Sequence, residues 1–303
     1  MKKLSIPIFR LKFDFKSKFK FLKGSWDILS SDRPLGESKY VKEFEDKNEW
    51  ALILGGSSGL GLATAKKLAK HGMNICIVHR NSRSQLPDIE KEFNEITQEG
   101  VDFISYNTDA FHSEKRAALI EDLAEELEGG TIKTLVHSVA KGNLKPMISE
   151  STPTLQTDDF QLTIQAMGIS LYDWTNAIFE ARLFSDDARV ISFTSEGNTK
   201  AWKNYAAVSA AKVTLEAITR NIALEYAPFG IRANCIQAGV TDTASLRMIP
   251  GSDEIKKHSL LRNPFNRLTL PEDVANVVYL LSKDEAAWIN GTIIPVDGGE
   301  HIS

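Results

Sequence analysis

The sequence predicts an α/β fold, a doubly wound parallel sheet of seven strands, on three observations. Short apolar runs alternate with segments of helical period from Trp50 onward; a glycine-rich turn joins the first run to the first helix; and no repeat or low-complexity linker splits residues 48–303. Parallel strands need crossovers that are usually helical, and strands covered on both faces are apolar throughout, as these runs are. The 303 residues are 42% hydrophobic and 25% charged, with 36 Lys+Arg against 40 Asp+Glu and a net charge of −4. That composition excludes a disordered chain, a collagen-like fibre and a protein whose overall basicity binds nucleic acid.

The chain divides into an extension, residues 1–47, and a domain, residues 48–303. Residues 1–23 carry eight basic side chains against Asp14 alone, a local +7 that leaves about −11 for the rest. The charges are interleaved with apolar residues, unlike a secretory signal. From Phe9 to Phe21 the alternation has period two, with Phe9, Leu11, Phe13, Phe15, Phe19 and Phe21 on one side and basic residues on the other. A strand or hairpin with one apolar face is expected, packed on the domain or on a neighbouring subunit. Docking to an acidic partner or an anionic membrane is the second reading, and an organelle transit segment the third. Cys76 and Cys235 each sit in a strand-like run, so no disulfide framework is built and a reducing, cytoplasmic setting is expected. No apolar run is long enough for an integral membrane segment.

The seven strands are expected from Ala51, Asn74, Val101, Thr134, Arg189, Ile231 and Thr292. After the first comes LGGSSGLGLATAKKLAKHG, in which Gly55, Gly59 and Gly61 are spaced GxxxGxG. Glycines there let the backbone turn sharply and approach a pyrophosphate held at the N-terminus of the helix that begins near Gly59, with Ser57, Ser58 and Leu60 beside it. A glycine triplet between an apolar strand and an amphipathic helix is the Rossmann-type dinucleotide signature. The second strand ends in His79-Arg80. An acidic residue there would bind the ribose of NAD, whereas Arg80 can pair with a 2′-phosphate, so NADPH is favoured and NADH is possible.

Tyr205 and Lys212 are seven residues apart at the start of a long amphipathic helix. Seven residues are nearly two turns, about 10 Å along the axis, so both project from one face. A Lys cation between the Tyr and a cofactor ribose would favour the phenolate and place a proton donor where charge develops on a substrate oxygen.

At these residues the sequence resembles the short-chain dehydrogenase/reductase family over residues 48–300. The resemblance is carried by Gly55/Gly59/Gly61, Asp109 after the third strand, HSVA from His137 to Ala140, Ser195, the Tyr/Lys pair, the stretch Ala238–Thr243 and VDGG from Val296 to Gly299. Most carbonyl-reducing members have Tyr four residues before Lys, a position held here by Val208. Tyr seven residues before Lys, together with HSVA, looks like the enoyl-acyl-carrier-protein reductases of type II fatty-acid synthesis, most like their NADPH-using branch.

That resemblance implies reduction of a trans-2-enoyl thioester presented by acyl carrier protein. Tyr205, with Ser195 nearby, would bond the thioester oxygen, and Lys212 would hold the ribose hydroxyls. It further implies that Asp109 and Ala110 lie beside the adenine, Asp109 alternatively capping the next helix, and that Ser138, Ala140, Gly239, Thr241 and Thr243 border the cofactor. Two departures stand out. Ser195 occupies a place where the best-known enoyl reductases have a second Tyr, and Gln165 lies near where many members have Asn. His137 is read as a core residue, and no His/Cys/carboxylate cluster has metal spacing.

Ala244–Arg267 reads as a mobile flap whose apolar residues, Met248 and Ile249 among them, suit a fatty acyl chain. Lys256, Lys257, Arg262 and Arg267 are candidates for docking the acidic carrier, and Trp202 for walling an acyl tunnel. Two other functions compete: a 3-oxoacyl or other carbonyl reductase, and a non-catalytic nucleotide-binding regulator. A homotetramer is expected by family analogy.

Overall fold

The structure, a computed structural model, describes residues 41–303. The strand or hairpin expected over Phe9–Phe21 lies outside them. Seven parallel strands form one sheet in the order β3-β2-β1-β4-β5-β6-β7. They are β1 (Glu49–Leu54), β2 (Asn74–His79), β3 (Phe103–Asn107), β4 (Thr131–His137), β5 (Phe184–Ser195), β6 (Ile231–Ala238) and β7 (Ile293–Val296). All seven expected strands form. Pro295 is tolerated in β7 because that strand is an edge.

The alternation of side chains along each strand divides the core. Trp50, Leu52 and Leu54 of β1 face α3 (Ser113–Glu126), α5 (Ser170–Glu180) and α6 (Ala206–Glu225), with Trp174 and Leu215 at the centre. Ala51 and Ile53 face α1 (Gly59–Lys70), α2 (Leu86–Thr97) and α9 (Pro271–Ser282), around Leu68, Phe93 and Val278. Helices cover both faces of the central strands, which is why those strands carry no polar side in the sequence. Phe44 is buried in the second layer, so packing begins upstream of the boundary at residue 48.

Beyond the C-terminal ends of the strands lies a third, smaller apolar cluster around Met167, Tyr205, Val208, Val240, Leu246 and Ile249. It is reached through α4 (Thr157–Ile164), which continues as a π-helical turn over Gln165–Ile169. On its other side stand α7 (Ala244–Arg247) and α8 (Ser252–Arg262), where an irregular flap was expected. The Thr243 hydroxyl caps α7 by accepting from the Leu246 N–H at 3.3 Å. Gly251, at φ +82°, turns the chain into α8, whose Asp253 and Glu254 open it and whose Arg262 closes it in the sense the helix dipole favours. The helix escapes notice because its apolar residues share no face: Ile255 packs on the third cluster, while Leu260 and Leu261 are exposed.

The strand order reverses between β1 and β4, and the β1–α1 turn sits in that crevice. The Gly55 N–H bonds the Val78 carbonyl of β2, and the Ser138 N–H after β4 bonds the Leu54 carbonyl. A Cβ on Gly55 would stand 2.2 Å from the Ser138 carbonyl oxygen, and one on Gly61 would stand 2.4 Å from the Gly55 carbonyl oxygen. The turn is therefore as tight as backbone alone permits.

Gly55 and Gly100 share a left-handed φ, +82° and +80°, but nothing lies within 4 Å of a Cβ at Gly100. Gly100→Ala should cost about 1 kcal/mol from backbone strain alone. Gly55→Ala should cost about 1–3 kcal/mol more from the clash, read as the difference in Tm or denaturation midpoint. Equal losses would show that the turn has room to spare.

Candidate functional site

A cleft of about 580 Å³ opens at the switch point, over the C-terminal ends of β1, β4, β5 and β6. Gly55, Ser57, Ser58, Gly59 and Leu60 line it from the first turn, with Arg80 from the end of β2 and Ser138 and Ala140 from beyond β4. Ser195, Tyr205 and Lys212 line it from β5 and α6, and Gly239, Thr241 and Thr243 from beyond β6. Residues far apart in sequence thus meet in one place.

Three expected site residues lie outside the lining. Gly61 sits behind the turn, where it makes room for the Gly55 carbonyl and the Ser138 hydroxyl. Asp109 accepts from the Arg80 guanidinium at 2.9 Å and from the Phe111 N–H at 3.0 Å. It closes a local turn and does not cap α3, which begins after His112. The Ala110 carbonyl accepts from the Trp174 indole at 3.0 Å.

The residues of the first turn fit a dinucleotide pyrophosphate. Ser58, the residue before α1, makes no side-chain cap, and no acidic residue occupies the first helical turn. The backbone N–H groups there remain directed at the cleft with the positive end of the helix dipole behind them. Arg80 is exposed at the edge, beside Asn81, whose backbone is held by reciprocal bonds with the Asn107 side chain at 3.0 and 3.1 Å.

Tyr205 is the residue that precedes α6 and is 7% exposed. Its ring packs on Gly197, where a Cβ would stand 2.6 Å from the ring, and lies 5.1 Å from the ring of Trp202. Its hydroxyl is 3.4 Å from the Ser195 hydroxyl. Burial pushes the Tyr205 pKa up, against a smaller opposing effect of the Ser195 bond. The phenol is therefore held protonated, ready to donate.

Lys212, equally buried, donates to the Phe193 carbonyl of β5 at 2.7 Å. Burial pulls its pKa down to about 8, and Glu216, one turn on, works the other way. The buried Glu216 carboxylate accepts from the Thr194 hydroxyl at 2.6 Å and from the Asn198 amide. Those two residues flank Ser195, so α6 fixes Tyr205, Lys212 and the loop around Ser195 together.

His137 is a core residue, as expected. One ring nitrogen meets the Ser170 hydroxyl at 2.7 Å, and burial drops the pKa to about 3. Among the described residues no cluster of His, Cys or carboxylates could hold a metal ion. No helix among them is long and apolar enough to cross a membrane.

The rest of the cleft is largely apolar: Leu144, Met167, Trp202, Val208, Val240, Leu246, Met248 and Ile249. Trp202, Met248 and Ile249 were expected there; Leu144 and Met167 were not, because a loop and the π-helical turn deliver them. Gln165 bonds Asp173 at 3.1 Å at the surface and brings no polar group to the cleft. Glu196 lines the cleft next to Ser195, and its partner Arg262 is 66 residues away, beyond any local signal.

The docking candidates need one correction. Arg262 does not face outward: it is 13% exposed and bonds Glu196 at 2.5 Å and Glu300 at 2.8 Å. Lys257 and Arg267 are exposed, and Lys256 less so; each is paired with an acid, namely Glu254, Asp273 and, for Lys256, Asp253.

Residues 55–301 match the family model described as Enoyl-(Acyl carrier protein) reductase. The NADH-dependent enoyl-[acyl-carrier-protein] reductase FabI of Bacillus cereus is 28% identical over 78% of this chain and 90% of its own length. A 7alpha-hydroxysteroid dehydrogenase of Paraclostridium sordellii is 27% identical over 84% and 93%. The crystal structure of the NADH enoyl-[acyl-carrier-protein] reductase from Aquifex aeolicus superposes with a TM-score of 0.74 at 25% identity, covering 86% of this chain and 98% of that one. The glycine turn, the Ser195–Tyr205–Lys212 cleft and these likenesses agree: the protein belongs to the short-chain dehydrogenase/reductase family, in the group described as Enoyl-(Acyl carrier protein) reductase, and is an oxidoreductase of that family.

Proposed function

We propose that the protein is an NADPH-dependent enoyl-acyl-carrier-protein reductase. The observation that carries the reading is the cleft's single arrangement of donor and wall. The Tyr205 hydroxyl faces it seven residues before Lys212, while position 208, four before Lys212, presents an apolar Val side chain to the same cleft.

When bound, NADPH would supply a hydride to the β-carbon of the conjugated thioester, and a proton taken up at the α-carbon would complete the reduction. The thioester oxygen, two carbons further on, then becomes negative and needs a donor. The protonated Tyr205 hydroxyl is that donor, oriented by Ser195. Tyr205 stands about 4.5 Å nearer the helix N-terminus than a Tyr at position 208 would, by the helical rise. That displacement suits a substrate whose hydride acceptor and oxygen are on different carbons. Lys212 commits one of its three N–H donors to Phe193, which leaves two for the ribose hydroxyls. The wall from Leu144 to Ile249 takes the acyl chain and keeps water from the reacting atoms. The acyl carrier protein is the proposed donor of the substrate, in the cytoplasm.

The test is oxidation of NADPH by purified protein on a trans-2-enoyl thioester and on the matching 3-oxo thioester. Turnover of the enoyl substrate is expected, with kcat about 10²–10³-fold lower in Tyr205→Phe and cofactor binding retained. Turnover of the 3-oxo substrate alone would favour the carbonyl reductase reading.

Lys212 is protonated below pH about 8 and neutral above it. Affinity of the free protein for NADPH should therefore weaken as pH rises through that value, by up to about tenfold per pH unit. A fluorescence titration that stays flat between about pH 7 and about pH 9.5 would separate cofactor binding from this ammonium.

Arg80, the proposed 2′-phosphate partner, is already paired with Asp109. Arg80→Gln should raise the dissociation constant of NADPH about tenfold and leave that of NADH unchanged. Equal effects on both would remove the basis for preferring NADPH.

A further inference from the structure

We propose that Arg262 is a positioning residue: its guanidinium ties the α7–α8 wall of the cleft to the loop after Ser195. One nitrogen, Nη2, donates to Glu196 Oε1 at 2.5 Å and to Glu300 Oε1 at 2.8 Å. All three side chains are largely or fully withdrawn from solvent. Each carboxylate has a second hold on the site. Glu196 follows Ser195, itself lines the cleft, and accepts from Lys200 at 2.7 Å. Glu300 accepts from the backbone N–H of Val240, another lining residue, at 3.3 Å. Arg262 therefore joins the β5–α6 loop, the turn after β6 and the chain's last residues through one cation.

Beside it, these elements are held by the third apolar cluster, on which Ile255 of α8 packs, and by the Asn263 amide donating to the Asp297 carbonyl at 2.8 Å. α8 buries Ser259 alone, and α7 buries Leu246 alone. The remaining ion pairs of this segment, Arg247 with Asp242, Lys256 with Asp253 and Asp242, and Lys257 with Glu254, are local and involve exposed acids, so each contributes little. A bridge between buried groups is a different case. Removing its cation leaves two carboxylates facing each other with reduced compensation, so the segments that carry them are expected to part. The part of the cleft that would loosen is the apolar wall around Val240, Leu246 and Ile249. The glycine turn, on the far side of the switch point, contains none of these residues.

The experiment compares Arg262→Gln and Arg262→Lys with the unaltered protein by hydrogen exchange, NADPH binding and steady-state kinetics. In Arg262→Gln, exchange over residues 239–262 should accelerate about tenfold or more, the loss expected for a charge-assisted bond. KM for the enoyl thioester should rise by a similar factor, with smaller changes in kcat and in the dissociation constant of NADPH, whose expected neighbours Gly239, Thr241 and Thr243 lie at the start of the loosened segment. Arg262→Lys, which keeps the charge, should show the same pattern more weakly. Unchanged exchange and KM would overturn the proposal. So would faster exchange over the whole domain with loss of NADPH binding, which marks general stability. If Arg262→Gln does not fold, the Lys variant decides by the same criteria. The kinetic arm rests on the reductase reading; the exchange arm does not. A protein inert on thioesters whose 239–262 exchange still rises would fail that reading and keep this one.

Discussion

The hydrogen bond from the Lys212 ammonium to the Phe193 carbonyl sets where helix α6 sits along strand β5, and the rest of the site depends on it. A buried ammonium must be bonded or lose its proton, so the helix has few places to rest along the strand. Once Lys212 is fixed, the helical rise fixes Tyr205 seven residues earlier and Glu216 four residues later. Glu216 in turn holds Thr194 and Asn198, on either side of Ser195. The Ser195–Tyr205 separation of 3.4 Å follows from a strand end and a helix start locked at two points.

The same lock explains why Tyr205 can precede the helix proper without being loose. Its ring rests on Gly197, with no space for a Cβ between them, and the Trp202 ring packs beside it at a tilt of 53°. Val208, four residues before Lys212, is buried and apolar. The site thus has one phenol, at a distance from Lys212 that suits a donor for an oxygen remote from the hydride acceptor.

Much of this was legible in the sequence because it is local. The strand runs, the glycine spacing and the Tyr–Lys interval each declare themselves within about twenty residues, and all seven strands formed where expected. What stayed hidden depends on residues distant in the chain or on helices without an apolar face. α8 carries its polar residues on all sides, so periodicity could not distinguish it from a loop. Arg262 looked like a surface cation because its two carboxylates lie 66 and 38 residues away. Asp109 and Arg80 each suggested a separate ligand contact, whereas they meet each other. Met167 reaches the cleft through a π-helical turn, for which the sequence has no plain signal.

In the proposed reductase, the place of the phenol relative to Lys212 selects the reaction. The direct test moves it: Tyr205→Phe combined with Val208→Tyr transfers the hydroxyl about 4.5 Å toward Lys212. Enoyl turnover is expected to stay about 10²–10³-fold down in this double variant, as in Tyr205→Phe, although the site again has a Tyr, a Lys and bound NADPH. Enoyl turnover restored to the level of the unaltered protein would contradict that, because the phenol would then work equally well from either turn of the helix.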